Sequence, residues 1–284
     1  MEQKRALPSW RISLLFVVIG LGLLVGFALS SIPEADDWII FYETGQRIWA
    51  GAPLYGTPTH FNYYTYAPWL AVVISPLSLM PIRWGWAALC CVSLCITLIL
   101  ARRWQTGLVK STLVLLSPAM AYIILHGQVD ALILAGLLLP REWWLLVGLT
   151  KPQVTLGLIF GVGRQRIFRA AALSGLIFLI SIVWLGNWPL QLLRQPAAFM
   201  YATHNLWLGL WPFQVPAGAA LILLGVKRRD ERLLVAASPF LAPYAAMSSL
   251  IGPWLALASF LKDWEAALVW LAWWGAVLYR YLVA

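Results

Sequence analysis

The chain has 284 residues, of which 62% are hydrophobic and only 11% are charged. A soluble domain is about 45–50% apolar and about 25% charged, so its interior could not hide this much apolar surface. The same arithmetic excludes a disordered chain, a coiled coil and a secreted disulfide scaffold. The apolar runs are continuous, so we expect an all-α polytopic membrane protein that forms one membrane-embedded domain over residues 1–284.

The net charge of +9 does not indicate nucleic-acid binding, because the basic residues stand in short clusters between apolar runs. That arrangement is typical of the positive-inside rule. The basic start of the chain precedes an apolar run, Ile12–Ile32, that is long enough to span a membrane and too long for a signal peptide. We therefore predict a cytoplasmic N-terminus, a retained first helix and a location in the cell membrane.

The short segment Ala67–Met80 decides the orientation of everything that follows it. It contains Pro68 and Pro76, and it is too short to span upright, so we expect it to dip into the outer leaflet and return. Fifteen of the 20 basic residues then lie in cytoplasmic loops. Two outward loops result, one over residues 33–66 and a second over residues 186–211. In all, we expect about ten transmembrane or half-membrane helices.

The first outer loop concentrates polar residues around Asp36 and Asp37. Apolar residues at helical spacing after them predict an amphipathic helix on the membrane surface, which Gly51 ends. One aspartate is explained by capping of that helix. The second adds repulsion and needs a cation or a substrate hydroxyl, because a carboxylate at membrane depth is costly without a role.

Three further polar residues interrupt apolar runs. Asp130 is either a helix cap or a contact to substrate or metal, and Gln128 beside it could hydrogen-bond a sugar. Lys151 precedes Pro152 within an apolar stretch, where it either snorkels or holds an anion such as a lipid phosphate. We favour the anion role, since a charge inside a membrane is functional by default.

Two other features complete the set drawn from the residues themselves. The second outer loop is rich in aromatic residues that suit an interfacial helix, and His204 and Asn205 are its candidates for substrate binding. The spacing of Gly157 and Gly161 predicts close helix packing. The chain has no nucleotide-binding loop and no His/Cys metal cluster. We expect no cofactor, and the sequence leaves the need for a divalent metal open.

Several motifs, in this order along the chain, resemble glycosyltransferase family 87, whose members have the GT-C membrane fold. The residues that carry the resemblance are Asp37-x-x-x-Phe41-Tyr42-x-x-Gly45, Gly51-x-Pro53-x-Tyr55, Phe61, Tyr66-x-Pro68, Ser75-Pro76-Leu77-x-x-Met80-Pro81, Gly127-Gln128-x-Asp130-x-Leu132 and Gly148-Leu149-Thr150-Lys151-Pro152-Gln153. Weaker similarity extends to Asn205-x-Trp207-x-Gly209 and Ser238-Pro239.

The resemblance implies an inverting hexosyltransferase that moves a sugar, mannose in this family, from a polyprenyl-phosphate donor to a lipid or glycan acceptor on the outer face. Asp37 matches the position of the family's catalytic carboxylate, and Lys151 would hold the donor phosphate. Asp36, Tyr66 and the polar residues noted above would bind substrate. The two charges are therefore expected to share one outward-opening hollow.

Two other functions stay open at this stage. Broken helices and an intramembrane lysine also suit a lipid or glycan transporter. A non-catalytic relative acting as a partner subunit is the third possibility.

Overall fold

A computed structural model describes Gly26, residues 35–194 and residues 205–283. All regular elements in these ranges are helical, which confirms the expected all-α class. The predicted first span, Ile12–Ile32, lies outside the described residues except for Gly26.

The described helices vary from one turn to six. The α-helices are α1 (Asp36–Ala50), α2 (Pro68–Ile74), α3 (Ile82–Arg103), α4 (Gly107–Leu115), α5 (Pro118–His126), α6 (Asp130–Leu134), α7 (Trp144–Thr150), α8 (Pro152–Thr155), α9 (Ile167–Leu185), α10 (Trp188–Leu193), α11 (Val215–Arg228), α12 (Glu231–Leu241), α13 (Ile251–Phe260) and α14 (Asp263–Val283). Short 3₁₀ helices cover Ser75–Leu79, Ala135–Leu138, Arg141–Trp143, Leu156–Gly161 and Met247–Leu250.

Two of the described helices, α3 and α9, are long and apolar enough to cross a membrane. The consecutive helices α4 and α5 qualify as a third span if the pair, which bends by 43°, is taken as one. Side chains of α9 are exposed along almost its whole length, as suits a helix that faces lipid. The larger number of spans expected from the sequence stays a prediction.

Proline and glycine break the remaining apolar runs into short pieces. The predicted dip is helical from Pro68 to Leu79, which is about 18 Å at 1.5 Å per residue and falls short of the roughly 30 Å of a bilayer core. Pro152 likewise ends α7, because a residue that precedes proline is driven out of the helical conformation. Backbone freed by such breaks must be buried in protein or line a wet cavity.

The start of α1 is held in place by the fully buried Trp38. Its indole nitrogen donates to the carbonyl of Ile82 at 2.8 Å. A Cβ on Gly85 would come within 2.7 Å of the Trp38 ring, and one on Gly127 would come within 2.4 Å of its Cβ atom. The two glycines therefore let α3 and the turn after α5 approach the first turn of α1.

The glycine spacing in the Leu156–Gly161 turn also serves close packing, as predicted. A Cβ on Gly157 would lie 1.9 Å from the carbonyl oxygen of Leu234, and one on Gly161 would lie 2.6 Å from the Leu234 side chain. The turn is pressed against α12 at a distance that no larger residue permits.

Candidate functional site

Breaks between short helices bring five polar side chains together in the interior. Asp37 comes from the first turn of α1, Gln128 from the turn between α5 and α6, and Asp130 from the start of α6. Lys151 stands between α7 and α8, and Ser249 lies in the 3₁₀ turn before α13. We call these five residues the polar cluster. Four of them were singled out from the sequence, and the structure joins them by a continuous chain of contacts.

The break at Pro152 points Lys151 into the protein. Its backbone has φ −144° and ψ 84°, outside the helical region, and its side chain is only 3% exposed. The preceding residue, Thr150, accepts a hydrogen bond from the indole of Trp69 at 2.6 Å and donates one to Leu146. This anchor fixes the end of α7 and with it the origin of the lysine side chain.

Lys151 forms a buried ion pair with Asp130. Its Nζ atom lies 2.6 Å from Asp130 Oδ2, and the aspartate side chain is fully excluded from solvent. Ser249 donates a hydrogen bond to the other carboxylate oxygen at 3.1 Å. The cap of α6 is Val129, so Asp130 is not the helix cap that was one of its two interpretations. It instead neutralises the lysine.

Gln128 connects this pair to Asp37. Its Oε1 atom accepts a hydrogen bond from Lys151 at 2.8 Å, and its Nε2 atom donates to Asp37 Oδ2. The glutamine is 5% exposed, whereas Asp37 is half-buried. Hydrogen bonds thus connect the Lys151 ammonium to the neutral amide of Gln128, and that amide to the carboxylate of Asp37, which stays partly accessible.

Burial raises the pKa of Asp37 above the ordinary value of an aspartate. The charges of Lys151 and His126 and the hydrogen bond from Gln128 all act in the opposite direction. In its ionised form, a carboxylate with a raised pKa is a better proton acceptor than a free aspartate. Asp37 therefore has the properties of a general base.

An aromatic wall closes one side of the polar cluster. The Lys151 ammonium lies 5.2 Å from the ring centroid of Tyr66, within the range of a cation–π contact. Tyr66 packs in turn on Phe41 with ring centroids 5.3 Å apart, so the segment before α2 is fixed to α1. Tyr66, a candidate from the sequence, is thus in the site.

Asp36 takes a different position from its neighbour. Its side chain is 51% exposed, and its Oδ2 atom lies 3.9 Å from Nδ1 of His126. The His126 ring stacks on Tyr122 with centroids 4.1 Å apart. Neither aspartate is the helix cap, because that position belongs to Ala35. Both carboxylates lie in the first turn of α1, where the helix dipole favours negative charge.

The side chain of Asn205 forms hydrogen bonds with backbone groups. Its Oδ1 atom accepts from the amides of Trp207 and Ala245, and its Nδ2 atom donates to the carbonyl of Pro243 at 3.2 Å. These bonds tie the segment before α11 to the chain after α12, so the residue has a structural role in this arrangement. His204 lies outside the described residues.

Ser249 was missed by sequence reasoning. It sits beside Ser248 before an apolar run, in a chain where many serines pack within helices, so its pattern carried no signal. Tyr244, also missed, lies near enough to interact electrostatically with Tyr66, Lys151 and Asp37. Both residues precede α13, and no pattern in the sequence placed that segment next to Lys151.

Two cavities lie on either side of Arg47, at the far end of α1 from Asp37. Their volumes are about 290 and about 380 Å³, and aromatic residues, backbone atoms and His60 contribute to their walls. None of the polar-cluster residues lines either cavity. Asp37 and Lys151 are thus linked through Gln128, but neither cavity is the shared hollow that was expected from the sequence.

Over residues 35–194 and 205–283, no group of three or more His, Cys, Asp or Glu side chains is placed to hold a metal ion. Comparisons with protein-family models, with curated proteins and with solved structures found no match to this chain.

Proposed function

We propose that the protein is a membrane-embedded inverting glycosyltransferase that moves a hexose, mannose by resemblance, from a polyprenyl-phosphate donor to a lipid or glycan acceptor. The observation that supports it best is the carboxylate of Asp37, half-buried and held by Gln128 beside a buried cation. The position of Asp37 in the family resemblance is the one that the catalytic carboxylate occupies.

In this proposal Asp37 acts as the general base. The acceptor hydroxyl gives its proton to the free carboxylate oxygen while its own oxygen forms a bond to C1 of the sugar. The bond from C1 to the phosphate oxygen breaks, and its electron pair leaves with the polyprenyl phosphate. A single displacement inverts the anomeric carbon, so a β-linked donor gives an α-linked product. General-base catalysis is worth typically about 10²–10⁴-fold.

The environment suits such a base. Partial burial weakens competition from water, and the Gln128 amide holds one oxygen so that the other is presented in a fixed direction. The Lys151 ammonium is enclosed by Asp130, Gln128 and the Tyr66 ring, so we do not assign it to the donor phosphate in this arrangement.

The membrane setting belongs to the same proposal. The polytopic arrangement, the cytoplasmic N-terminus and an outward-facing Asp37 follow from the distribution of basic residues, and α3 and α9 supply spans long enough for it. A donor with a long isoprenoid chain would then reach the site from the lipid phase, without leaving the membrane.

The test is transfer of labelled mannose from polyprenyl-phosphate-mannose by the purified protein in proteoliposomes, with lipid and glycan acceptors supplied in turn. We expect a covalent α-linked product, and a loss of about 10²–10⁴-fold in Asp37→Asn. The matched control is Asp263→Asn, the same change at an exposed position of α14, which should keep full activity. Retained transfer in a folded Asp37→Asn protein would contradict the assignment of the base, and movement of substrate without any covalent product would indicate a transporter instead.

A further inference from the structure

The direction of hydrogen bonding in the polar cluster is fixed by chemistry. An ammonium group can only donate, and a glutamine side chain has an accepting oxygen and a donating nitrogen on the same carbon. Lys151 lies 2.8 Å from the glutamine side chain, so the accepting oxygen must face it. The amide nitrogen must then face the other way, which is toward Asp37.

Without the lysine the amide could turn over. An oxygen facing Asp37 would repel the ionised carboxylate instead of donating to it. Asp37 would then be held by no hydrogen bond from Gln128, and the direction in which it presents its free oxygen would change. The charge on Lys151 therefore has an effect on Asp37 beyond simple attraction.

The lysine itself is fixed by a second layer. Asp130 binds its Nζ atom at 2.6 Å, and Ser249 holds Asp130 through the second oxygen at 3.1 Å. Ser249 and Asp130 are both completely buried, so water does not compete for these contacts. A buried ion pair with satisfied hydrogen bonds is a poor source of stability but a good means of fixing one arrangement.

We propose that Lys151 is a positioning residue that acts through Gln128: it fixes the amide so that the NH₂ group faces Asp37, with Asp130 and Ser249 holding the lysine in place. Its bearing on catalysis rests on the glycosyltransferase function proposed above. This positioning role differs from the phosphate-binding role expected from the sequence, because a positioning Lys151 touches no substrate.

The proposal is tested without substrate by pH-difference infrared spectroscopy of the protein in lipid. The carbonyl stretch of a protonated carboxyl group reports Asp37, and its band is identified by its loss in Asp37→Asn. Two variants are compared with the wild type. Gln128→Met removes the donor but keeps both charges of the ion pair. The double variant Lys151→Met/Asp130→Asn removes both charges, so it leaves no uncompensated buried ion, and frees the amide to turn.

We expect the protonation midpoint of Asp37 to rise by about one pH unit in Gln128→Met, a tenfold change in the equilibrium. The double variant raises the midpoint through loss of the Lys151 charge alone. The turned amide is therefore recognised by adding Gln128→Met to the double variant, where it should shift the midpoint by less than it does in the wild type. Gln165→Met, the same change on an exposed turn, should leave the midpoint unchanged. The other ionisable groups that face Asp37 are His126, Tyr66 and Tyr244, which stay in every variant, so their contributions cancel.

An unchanged midpoint in folded Gln128→Met would overturn the proposal, and so would a shift by Gln128→Met that is as large in the double variant as in the wild type, because the amide would then keep its direction without the lysine. Should the double variant fail to fold, Gln128→Met alone decides. The spectrum does not depend on turnover, so absence of transfer by the wild type would refute the proposed function and leave this measurement valid. In an active protein, the kcat of the double variant should fall with the donor KM unchanged. A raised donor KM with an unshifted midpoint would place Lys151 on the phosphate and overturn the positioning role.

Discussion

The Nζ atom of Lys151 lies 2.6 Å from Oδ2 of Asp130, and the two side chains are 3% and 0% exposed. Each residue stands at a break between helices, the lysine after α7 and the aspartate at the start of α6. The carboxylate of Asp130 is thus next to the positive end of α6, which favours its charge. The pair joins two segments that 21 residues separate in the chain.

Breaking this pair should cost far more than removing it. Lys151→Met leaves Asp130 charged in the interior, for which we expect a loss of about 3–5 kcal/mol in the free energy of unfolding. Replacing both residues, as in Lys151→Met/Asp130→Asn, should cost much less, because neither charge is then left without a partner. The comparison is made by reversible unfolding in detergent mixtures, as a double-mutant cycle.

The cycle contains its own control in Asp130→Asn, which leaves the lysine without its carboxylate and should also be strongly destabilised. Single-variant losses that simply add up in the double variant would contradict a direct interaction between the two side chains.

Gly127 controls the position of Gln128 in two ways. Its φ of +66° lies in the left-handed region, and a Cβ would meet the Trp38 Cβ at 2.4 Å. Gly127→Ala should therefore cost about 1–3 kcal/mol in backbone strain and a similar amount in overpacking against α1. It should also move the amide away from Asp37, so activity should fall even in the folded fraction.

The matched control for that change is Gly175→Ala in α9, where a new Cβ meets nothing within 4 Å. Alanine there is expected to be neutral or slightly stabilising, because it favours helix. Equal effects of the two substitutions would show that the contact with Trp38 does not constrain the turn. Thermal unfolding of the two variants measures the difference.

Ionising Asp37 costs the folded protein stability. Its pKa in the folded state is raised by burial, so the folded form binds the proton more tightly than the unfolded chain does. This contribution to stability is present below the unfolded pKa and is lost as pH rises through the folded value. The Asp37→Asn variant cannot ionise at this position, so it does not lose stability as the pH rises. The Oδ1 atom of the new asparagine can still accept a hydrogen bond from Gln128. We expect its Tm to equal or exceed that of the wild type at pH 8.

The same difference in Tm should shrink as the pH falls into the range where the wild-type carboxylate is protonated. A stable and inactive Asp37→Asn protein would show that Asp37 is needed for activity and not for stability. A variant that is less stable than the wild type at high pH would show instead that the ionised carboxylate is a net stabilising partner of Lys151 and Gln128.

The sequence identified four of the five members of the polar cluster but not their pairing. Asp37, Gln128, Asp130 and Lys151 were recognised because each is polar where the chain is otherwise apolar, which is a local signal. Lys151 was expected to hold an anionic ligand, whereas it faces Asp130. That pairing depends on which breaks between helices come together in the folded protein. A single sequence does not show which of these breaks are neighbours.

The fold was likewise predicted from the sequence only in part. The helix from Asp36 and its end at Gly51 were predicted from spacing and from a left-handed glycine, and both are confirmed, with Gly51 at φ +63°. The cap of that helix was assigned to an aspartate and falls on Ala35 instead. The cap depends on the direction from which the chain enters the helix as well as on residue type, and a single sequence does not show that direction.

Orientation in the membrane is the last expectation that a direct measurement can decide. Phe61, 52% exposed in the first outer loop, should lie outside, and Gln165, on the exposed turn between Arg164 and Arg166, should lie in the cytoplasm. In a background with Cys90, Cys91 and Cys95 replaced by alanine, a membrane-impermeant thiol reagent should label Phe61→Cys in intact cells. It should label Gln165→Cys only after the membrane is permeabilised.

Labelling of both positions from the outside would mean that the Pro68–Leu79 segment crosses the membrane. The basic turn at Gln165 would then face outward, against the positive-inside rule. Labelling of Gln165→Cys alone in intact cells would place Asp37 on the cytoplasmic side, where its acceptor would have to be found.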